Sequence, residues 1–207
     1  MYPFFESIAI IGGIPRNIEL HQERMERTYQ FHYQTSCPFY LQTILENEII
    51  INPASDKYKW KFLYSKNQYT SILNPYISKL FKQFHLLHSA INYPFKYSDR
   101  SALLKLKSHL MAIDEIIIIK DSFVTDTSFS NLIFFDGQNW ITPSSPLLLG
   151  TMRHKLLQSR SILTANIHLE DLKSFSTFQC INALNDMSES PVYSMSIINT
   201  KYSNSHG

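Results

Sequence analysis

The amino-acid sequence predicts a globular protein of the mixed α/β (α+β) class, with strands and helices in both halves of the chain. Hydrophobic residues make up 44% of its 207 residues and charged residues 17%, a composition typical of folded rather than disordered proteins. Runs of strand formers are separated by segments with helical periodicity, which favours the mixed class. This length allows one large domain or two smaller domains that share a cleft.

The N-terminal segment predicts a hairpin followed by helices. Residues 4–11 are rich in strand formers, and Gly12-Gly13 supplies a two-residue turn, so we expect a partner strand over 14–20. Apolar residues then recur at helical spacing over 21–33. A second, short helix is predicted over 38–46, where Pro38 suits a first turn.

The next segments predict an antiparallel pair and then a connector. Aromatic and basic residues alternate over 58–64, as in a strand with one wet face, and 68–72 can pair with it. Residues 77–93 show no clean period. Because Pro94 favours an extended conformation at Tyr93, the chain is expected to reach Lys96 stretched out. We therefore predict a small α/β domain over 1–90 and a larger domain over 91–207.

The larger domain is predicted to be mostly sheet. Ser98 or Asp99 can cap a helix that runs to about residue 112. The remaining predicted elements are strands over 114–120, 123–127, 131–135, 140–142, 178–183 and 192–199, and a helix over 151–157.

Charge, thiols and hydropathy exclude several classes of function. The formal charge of +2 is spread without a basic run, which argues against nucleic-acid binding. The longest apolar run, Ile116 to Ile119, has strand length, so no membrane span is expected. Cys37 and Cys180 are isolated, and no secretory signal opens the chain, which indicates a reduced, cytoplasmic protein. No metal site is expected.

Two stretches organise the chain: Phe95 to Arg100, which contains Lys96, and Val124 to Asn131, which contains Asp126. An amine after an apolar turn and a carboxylate in a Ser/Thr-rich loop suggest a buried amine and a carboxylate that meet at one site. A lysine amine becomes a nucleophile only when neighbouring groups and burial favour its neutral form. Taken alone, Lys96 reads as a solvated charge and Asp126 as a turn former.

A third stretch, Gly150-Thr151-Met152-Arg153, reads as a helix start. Backbone N–H groups at a helix N-terminus can bind a phosphate without specific side chains. Plain helices start in the same way, so this stretch gains meaning only in combination with the others.

In combination, the ordered motifs resemble the class IV aminotransferases, the pyridoxal phosphate (PLP) enzymes of fold type IV. The family includes branched-chain and D-amino-acid aminotransferases and 4-amino-4-deoxychorismate lyase. The resemblance extends over nearly the whole chain. It rests on Phe5-Glu6-Ser7, His21-Gln22-Glu23-Arg24-Met25, Lys96-Tyr97-Ser98-Asp99-Arg100, Val124 to Asn131, Gly150 to Arg153, and Cys180-Ile181-Asn182-Ala183-Leu184.

The resemblance implies a role for each matching residue. Lys96 would carry PLP covalently and later move the substrate Cα proton. The phosphate would be bound by Arg24, by the backbone N–H groups of Thr151 and Met152, and by Asn182. Asp126 would hold the pyridine nitrogen, and Ser128 would belong to the same cofactor loop.

The chain departs from the family pattern at three points. Asp126 stands where a glutamate is usual, and its side chain is one methylene shorter. The family's segment before the F-E-[TS] strand is expected to be absent, which leaves a minimal small domain. Arg100 replaces the tyrosine of the branched-chain enzymes and resembles the lyase motif K-x-x-N-R, which makes it a candidate for binding substrate carboxylates.

The resemblance implies a two-domain fold: a small α/β domain, a larger β-barrel-like domain, and PLP in the cleft that they share. It also implies a homodimer that acts on a small-molecule amino substrate. The leading function is an aminodeoxychorismate lyase of folate biosynthesis, which gives 4-aminobenzoate and pyruvate. The alternatives are a transaminase of a branched-chain or D-amino acid, and a PLP-binding or interaction protein without turnover.

Overall fold

The computed structural model describes residues 2–48 and 57–204. These residues form two units. The first contains the described residues of Met1–Ile77 together with Phe95–Ser98, and the second contains Ser78–Pro94 and the described residues of Asp99–Gly207.

The first unit is built on an antiparallel sheet. Its strands are β1 (Phe4–Ile11), β2 (Ile14–Pro15), β3 (Tyr58–Tyr64) and β4 (Tyr69–Pro75). Among the described residues their order is β2-β1-β3-β4. Gly12 and Gly13 make the first turn with φ values of 55° and 84°, which a glycine adopts without steric cost. Because β1 lies between β2 and β3, it is an internal strand, and it is buried along nearly its whole length.

Two helices accompany this sheet, α1 (Ile18–Tyr33) and α2 (Leu41–Glu48). The prediction of a strand continuing to residue 20 was wrong. Asn17 adopts a left-handed φ of 50°, which ends the extended conformation, and α1 begins at the next residue. The buried face of α1 packs with β1 and β3 in an aromatic core that includes Met25, Tyr29, Trp60 and Phe62.

The second unit is a larger mixed sheet. Its strands are β5 (Gln83–His88), β6 (Asp114–Lys120), β7 (Phe123–Thr127), β8 (Asn131–Phe135), β9 (Trp140–Pro143), β10 (Leu163–Ala165), β11 (Thr177–Ile181), β12 (Tyr193–Ser194) and β13 (Ile198–Asn204). The main path in the described chain is β10-β9-β8-β7-β6-β5-β13, and β11 pairs with β8 and β12.

Strand β8 is the branch point of this sheet. It pairs with β11 along its length, with β7 where it begins and with β9 where it ends. The described part of this unit also contains two short α-helices, α3 (Ser101–Leu106) and α4 (Thr151–Gln158), and two 3-10 helices, Leu169–Ser174 and Met195–Ile197. The core contains Phe84, Ile117, Leu132, Phe134 and Phe178. The branch brings the end of β7, the start of β8 and α4 into one neighbourhood, because Asn131 contacts both Asp126 and the segment before α4.

The predicted mixed α/β (α+β) class is confirmed. The two units do not divide the chain near residue 90 as the sequence suggested. Strand β5 belongs to the second unit because it pairs in parallel with β6. Residues 95–98 belong to the first unit because the Phe5 N–H donates to the Lys96 carbonyl at 3.0 Å and the Ser98 N–H to the Pro3 carbonyl at 2.8 Å. Within the described ranges, no helix is long and apolar enough to cross a membrane.

Candidate active site

A carboxylate lies in the aromatic core of the first unit. Glu6 is on the same face of β1 as Phe4 and Ile8, because side chains two residues apart along a strand share a face. It pairs in register with Phe62 and is fully buried. A buried carboxylate is costly unless it is paired and hydrogen-bonded, so its partners are informative.

Those partners are His21 and Arg24, three residues apart on α1 and therefore on one helix face. The Arg24 Nε donates to Glu6 Oε1 at 2.9 Å, and the Arg24 Nη2 donates to Glu6 Oε2 at 2.5 Å. The His21 Nδ1 lies 2.6 Å from Glu6 Oε2. His21 is fully buried and Arg24 is buried. The three side chains form one hydrogen-bonded cluster, which we call the Glu6 cluster.

Charges within the Glu6 cluster fix its protonation. Burial alone would raise the pKa of Glu6, but the Arg24 charge and the His21 hydrogen bond outweigh it and lower that pKa to about 2. Burial lowers the pKa of His21 and, with the charges of Arg24 and Lys96, outweighs the hydrogen bond and charge of Glu6, which act to raise it. At neutral pH, Glu6 is therefore ionised and His21 neutral. Nδ1 must carry the imidazole proton, because an ionised carboxylate can only accept.

Lys96 lies in the same unit as the Glu6 cluster. Its Nζ is 5.2 Å from the centre of the Phe5 ring, and the Lys61 Nζ is 5.1 Å from the centre of that ring. The sequence suggested that the Lys96 amine is buried, but in the structure Lys96 is only half-buried. The backbone hydrogen bond from Phe5 nevertheless fixes its position beside β1.

In the second unit, Asp126 lies near the end of β7 and is buried. Its Oδ1 accepts from the Asn131 Nδ2 at 2.8 Å, and its Oδ2 accepts from the Leu148 N–H at 3.0 Å. The Asn131 Nδ2 also donates to the Leu148 carbonyl at 2.9 Å. Both carboxylate oxygens are thus held in a defined orientation.

Burial raises the pKa of Asp126 to about 6, although hydrogen bonds from Leu148 and Asn131 and the charge of Arg153 act in the opposite direction. Arg153 is itself buried on α4. Its Nη2 donates to the Pro143 carbonyl at 2.8 Å, and its Nε donates to Thr142 Oγ1 at 3.2 Å. A cation placed against Asp126 would lower the pKa of that carboxyl again.

The predicted phosphate-binding helix start is the N-terminus of α4. Gly150 occupies the N-cap position with φ −72° and ψ 142°, a conformation open to any residue. Space is what requires a glycine here, because a Cβ at Gly150 would overlap the side-chain oxygen of Asn131. Thr151 and Met152 follow and are both buried.

The loop between β7 and β8 is held on both sides of Ser128. The Ser128 carbonyl accepts from the Arg100 Nη2 at 2.5 Å. The Ser128 N–H donates to Glu115 Oε1 at 3.3 Å, and the other oxygen of Glu115 accepts from the Lys107 Nζ at 2.7 Å. Arg100, which the sequence proposed for substrate carboxylates, therefore has one nitrogen committed to this loop.

Asn182 lies in a tight turn after β11. Its Oδ1 accepts from the Leu184 N–H at 2.8 Å and from the Asn185 N–H at 3.1 Å. These bonds fix the side chain, so a contact with an anion would come from its Nδ2 donor.

The structure thus brings several predicted residues into local clusters. Arg24 and Lys96 are neighbours of His21 in the first unit, and Asp126 is joined through Asn131 to the start of α4 in the second. Sequence reasoning gave no role to Glu6, Asn131 or Glu115. A lone carboxylate within the apolar run Phe4 to Ile11 was the available signal for Glu6.

Each unit carries groups of the kinds that bind PLP. In the first unit, a buried arginine is suited to a phosphate and a lysine amine to an aldehyde. In the second unit, the N-terminus of α4 is suited to a phosphate and a fixed carboxylate to a pyridinium N–H. Among the residues that the structure describes, no group of three or more histidine, cysteine or acidic side chains could hold a metal ion.

Comparisons with known proteins agree with this chemistry. A family model described as amino-transferase class IV matches residues 97–189. An uncharacterized protein of Haemophilus influenzae is 38% identical over 196 residues, which cover 90% of this chain and 100% of the relative.

Solved structures extend the comparison. A protein of Haemophilus somnus 129PT, provisionally named a 4-amino-4-deoxychorismate lyase, is 34% identical with a TM-score of 0.84, over 90% of this chain and 98% of that one. A hypothetical aminotransferase of Mycobacterium tuberculosis in its PLP-bound form shares the fold at 12% identity and a TM-score of 0.72, over 93% and 80% of the two chains. The chain therefore has the fold of the type IV PLP enzymes and belongs to the class IV aminotransferases, a family of PLP-dependent enzymes.

Proposed function

We propose that this chain is a PLP-dependent lyase resembling aminodeoxychorismate lyase, which gives 4-aminobenzoate and pyruvate. The observation that carries the proposal is the similarity to the Haemophilus somnus protein of that provisional name, at 34% identity over 90% of this chain. The motif from Lys96 to Arg100, with its arginine at the fourth position after the lysine, supports the same choice.

The residues of the first unit have defined roles in this proposal. The Lys96 amine would hold PLP covalently, and once released it would move the proton at the substrate Cα. Arg24 would bind the cofactor phosphate, because a guanidinium binds phosphate through charge-assisted hydrogen bonds. PLP supplies an electron sink that makes the Cα proton acidic.

The residues of the second unit would orient the ring and the phosphate. Asp126 would accept a hydrogen bond from the pyridine nitrogen and keep it protonated, with its orientation set by Asn131 and Leu148. The N–H groups of Thr151 and Met152 and the Asn182 side chain would contact the phosphate. Ser128 would be part of the loop that contacts the cofactor. Arg100 would bind a substrate carboxylate while its Nη2 donates to the Ser128 carbonyl.

A transaminase of a branched-chain or D-amino acid is the alternative. It would use the same Lys96, Arg24 and Asp126. The bond from Arg100 to Ser128 favours this alternative, because it gives the arginine a local task in the β7–β8 loop. Arg100 is the residue that separates the lyase motif from that of the branched-chain enzymes. The two functions must therefore be distinguished by assaying the lyase substrate itself.

The deciding experiment is a lyase assay without any keto acid. The purified protein, supplied with PLP and 4-amino-4-deoxychorismate, should release 4-aminobenzoate and pyruvate in equal amounts. Activity that appears only when an amino donor and a keto acid are both present would establish the transaminase instead. A protein that takes up no PLP would overturn both.

Two matched lysine variants sharpen this test. Lys96→Ala should abolish turnover, whereas Lys61→Ala, which removes the other amine near the Phe5 ring, should leave turnover within a few-fold of the original. Borohydride reduction followed by peptide mass analysis should find the cofactor on Lys96. Cofactor on another lysine would contradict the assignment.

We also propose a cytoplasmic homodimer that binds neither nucleic acid nor membranes, with a place in folate biosynthesis. The family resemblance supports the dimer, and the absence of a basic run in the sequence supports the lack of a nucleic-acid partner. Sedimentation equilibrium should give twice the chain mass, and a monomer at assay concentrations would contradict the dimer.

A further inference from the structure

The Glu6 cluster has a geometry that core packing alone does not require. Glu6 occupies a core-facing position of β1, opposite Phe62 and among apolar residues. An apolar residue would bury surface there without the cost of desolvating a charge. The position of the carboxylate is therefore best understood through what it holds.

It holds the Arg24 guanidinium by one complete edge. Arg24 Nε and Nη2 donate to the two oxygens of Glu6, at 2.9 and 2.5 Å. A two-point contact of this kind fixes the plane of the guanidinium, which a single hydrogen bond cannot do. The direction of the Nη1 N–H bonds is then fixed as well.

His21 supports the carboxylate from the same helix. Its Nδ1–H donates to Glu6 Oε2 at 2.6 Å, and it is neutral because it is fully buried, so it adds a hydrogen bond without adding a charge. Arg24 therefore remains the cation of the cluster. Its side chain is 8% exposed, so the guanidinium has few alternative orientations.

We infer that Glu6 is a positioning residue, which together with His21 holds the Arg24 guanidinium in the orientation that binds the PLP phosphate before the cofactor arrives. The inference rests on the proposed function, since it assumes that Arg24 binds this phosphate. Preorganisation of this kind improves binding because the arginine loses little conformational freedom when the ligand binds.

The test compares PLP with pyridoxal, which lacks the phosphate. The dissociation constants of both should be measured by absorbance for the original protein and for Glu6→Gln, Glu6→Asp and Glu19→Gln. Glu6→Gln keeps the side-chain size but removes the charge that fixes Arg24. The preference for PLP over pyridoxal should fall by about 10-fold to 100-fold, the effect of losing a hydrogen bond to a charged group.

Glu6→Asp and Glu19→Gln serve as controls for the effect of Glu6→Gln. Glu6→Asp keeps the charge on a shorter side chain and should lose part of the preference. Glu19→Gln removes an exposed carboxylate of α1 and should keep all of it. A merely structural role for Glu6 would weaken PLP and pyridoxal binding alike and leave their ratio unchanged.

Each outcome decides a different question. If the original protein prefers PLP and Glu6→Gln keeps the same preference, the inference is overturned and the proposed function stands. If Glu6→Gln does not fold, an unchanged preference in Glu6→Asp overturns the inference equally. If the original protein binds neither compound, the proposed function fails and the inference fails with it.

Discussion

At the scale of single residues, Asp126 combines strong burial with a hydrogen bond to each of its carboxylate oxygens. Burial raises its pKa from 3.8 to about 6. The folded protein therefore binds this proton more tightly than the unfolded chain does. Between about pH 4 and 6, stability gained from Asp126 increases as the pH falls and is lost as the pH rises.

The direction of this pH dependence can be tested with Asp126→Asn, because an asparagine side chain does not titrate. The unfolding free energy of the original protein relative to that of Asp126→Asn should rise as the pH falls from 6 to 4. The gain should be at most about 3 kcal/mol, for a pKa shift of roughly two units. Urea unfolding of both proteins at several pH values measures it. A difference that is constant across this range would contradict the raised pKa.

The sequence proposed candidate site residues where a family motif named them, as with Arg24, Lys96 and Asp126. It did not predict the contacts that orient them. Glu6 reaches Arg24 only because β1 packs on α1, and such a pairing depends on tertiary structure. The half-buried state of Lys96 also depends on packing, since residues 95–98 join β1 by backbone hydrogen bonds that no local pattern indicates.

At the scale of elements, the start of α4 and the start of β8 share one small space. Asn131 fills the volume beside Gly150 and holds both Asp126 and the Leu148 carbonyl. A side chain at position 150 would displace this amide. The loop before α4 and the Asp126 carboxylate therefore depend on each other through one asparagine.

We expect Gly150→Ala to destabilise the protein by about 1–3 kcal/mol, because overpacking forces neighbouring groups to move. In an Asn131→Ala background, the same change should cost much less, since the opposing oxygen is gone. A double-mutant cycle in urea measures the coupling. Additive effects of the two substitutions would show that the glycine is required for another reason.

The β7–β8 loop gives a second prediction at this scale. Glu115→Gln removes the charged partner of Lys107 while it keeps an oxygen for the Ser128 N–H. The loss should be about 1–3 kcal/mol, as expected for a hydrogen bond between charged groups. Denaturant unfolding measures it, with the exposed Glu170→Gln as the control that should change little. Equal stabilities of the two variants would exclude a structural role for this ion pair.

Sequence patterns predicted most elements but not all of their ends. The helix expected to reach residue 112 stops at Leu106. Leu104 and Met111 are largely exposed at 57% and 64%, so the apolar spacing did not mark a buried face. Strands over 114–120 and 131–135 were predicted at their observed bounds, because both are short apolar runs bounded by polar residues or turns.

At the scale of the whole molecule, each unit has its own core and one of the two tryptophans. Trp60 is fully buried in the first core, and Trp140 packs against a cluster of the second unit. Each tryptophan therefore reports on its own unit. Trp140→Phe leaves Trp60 as the reporter, and Trp60→Phe leaves Trp140.

Matched core truncations use these reporters. Leu41→Ala in the first core and Leu132→Ala in the second each remove a fully buried leucine, at a cost of about 2–5 kcal/mol. We expect Leu41→Ala to lower the fluorescence midpoint of Trp60 more than that of Trp140, and Leu132→Ala to do the reverse. Identical shifts for both reporters would mean that the chain unfolds as one cooperative block.

The contact between Gly150 and Asn131 also constrains how the sequence can change over evolutionary time. A larger residue at 150 is better tolerated once position 131 has lost its amide, and that loss removes one of the hydrogen bonds that orient Asp126. A lineage that exchanges residue 131 first therefore passes through an intermediate in which Asp126 has lost one of its hydrogen bonds. The space beside one glycine therefore favours one order of substitutions over the other.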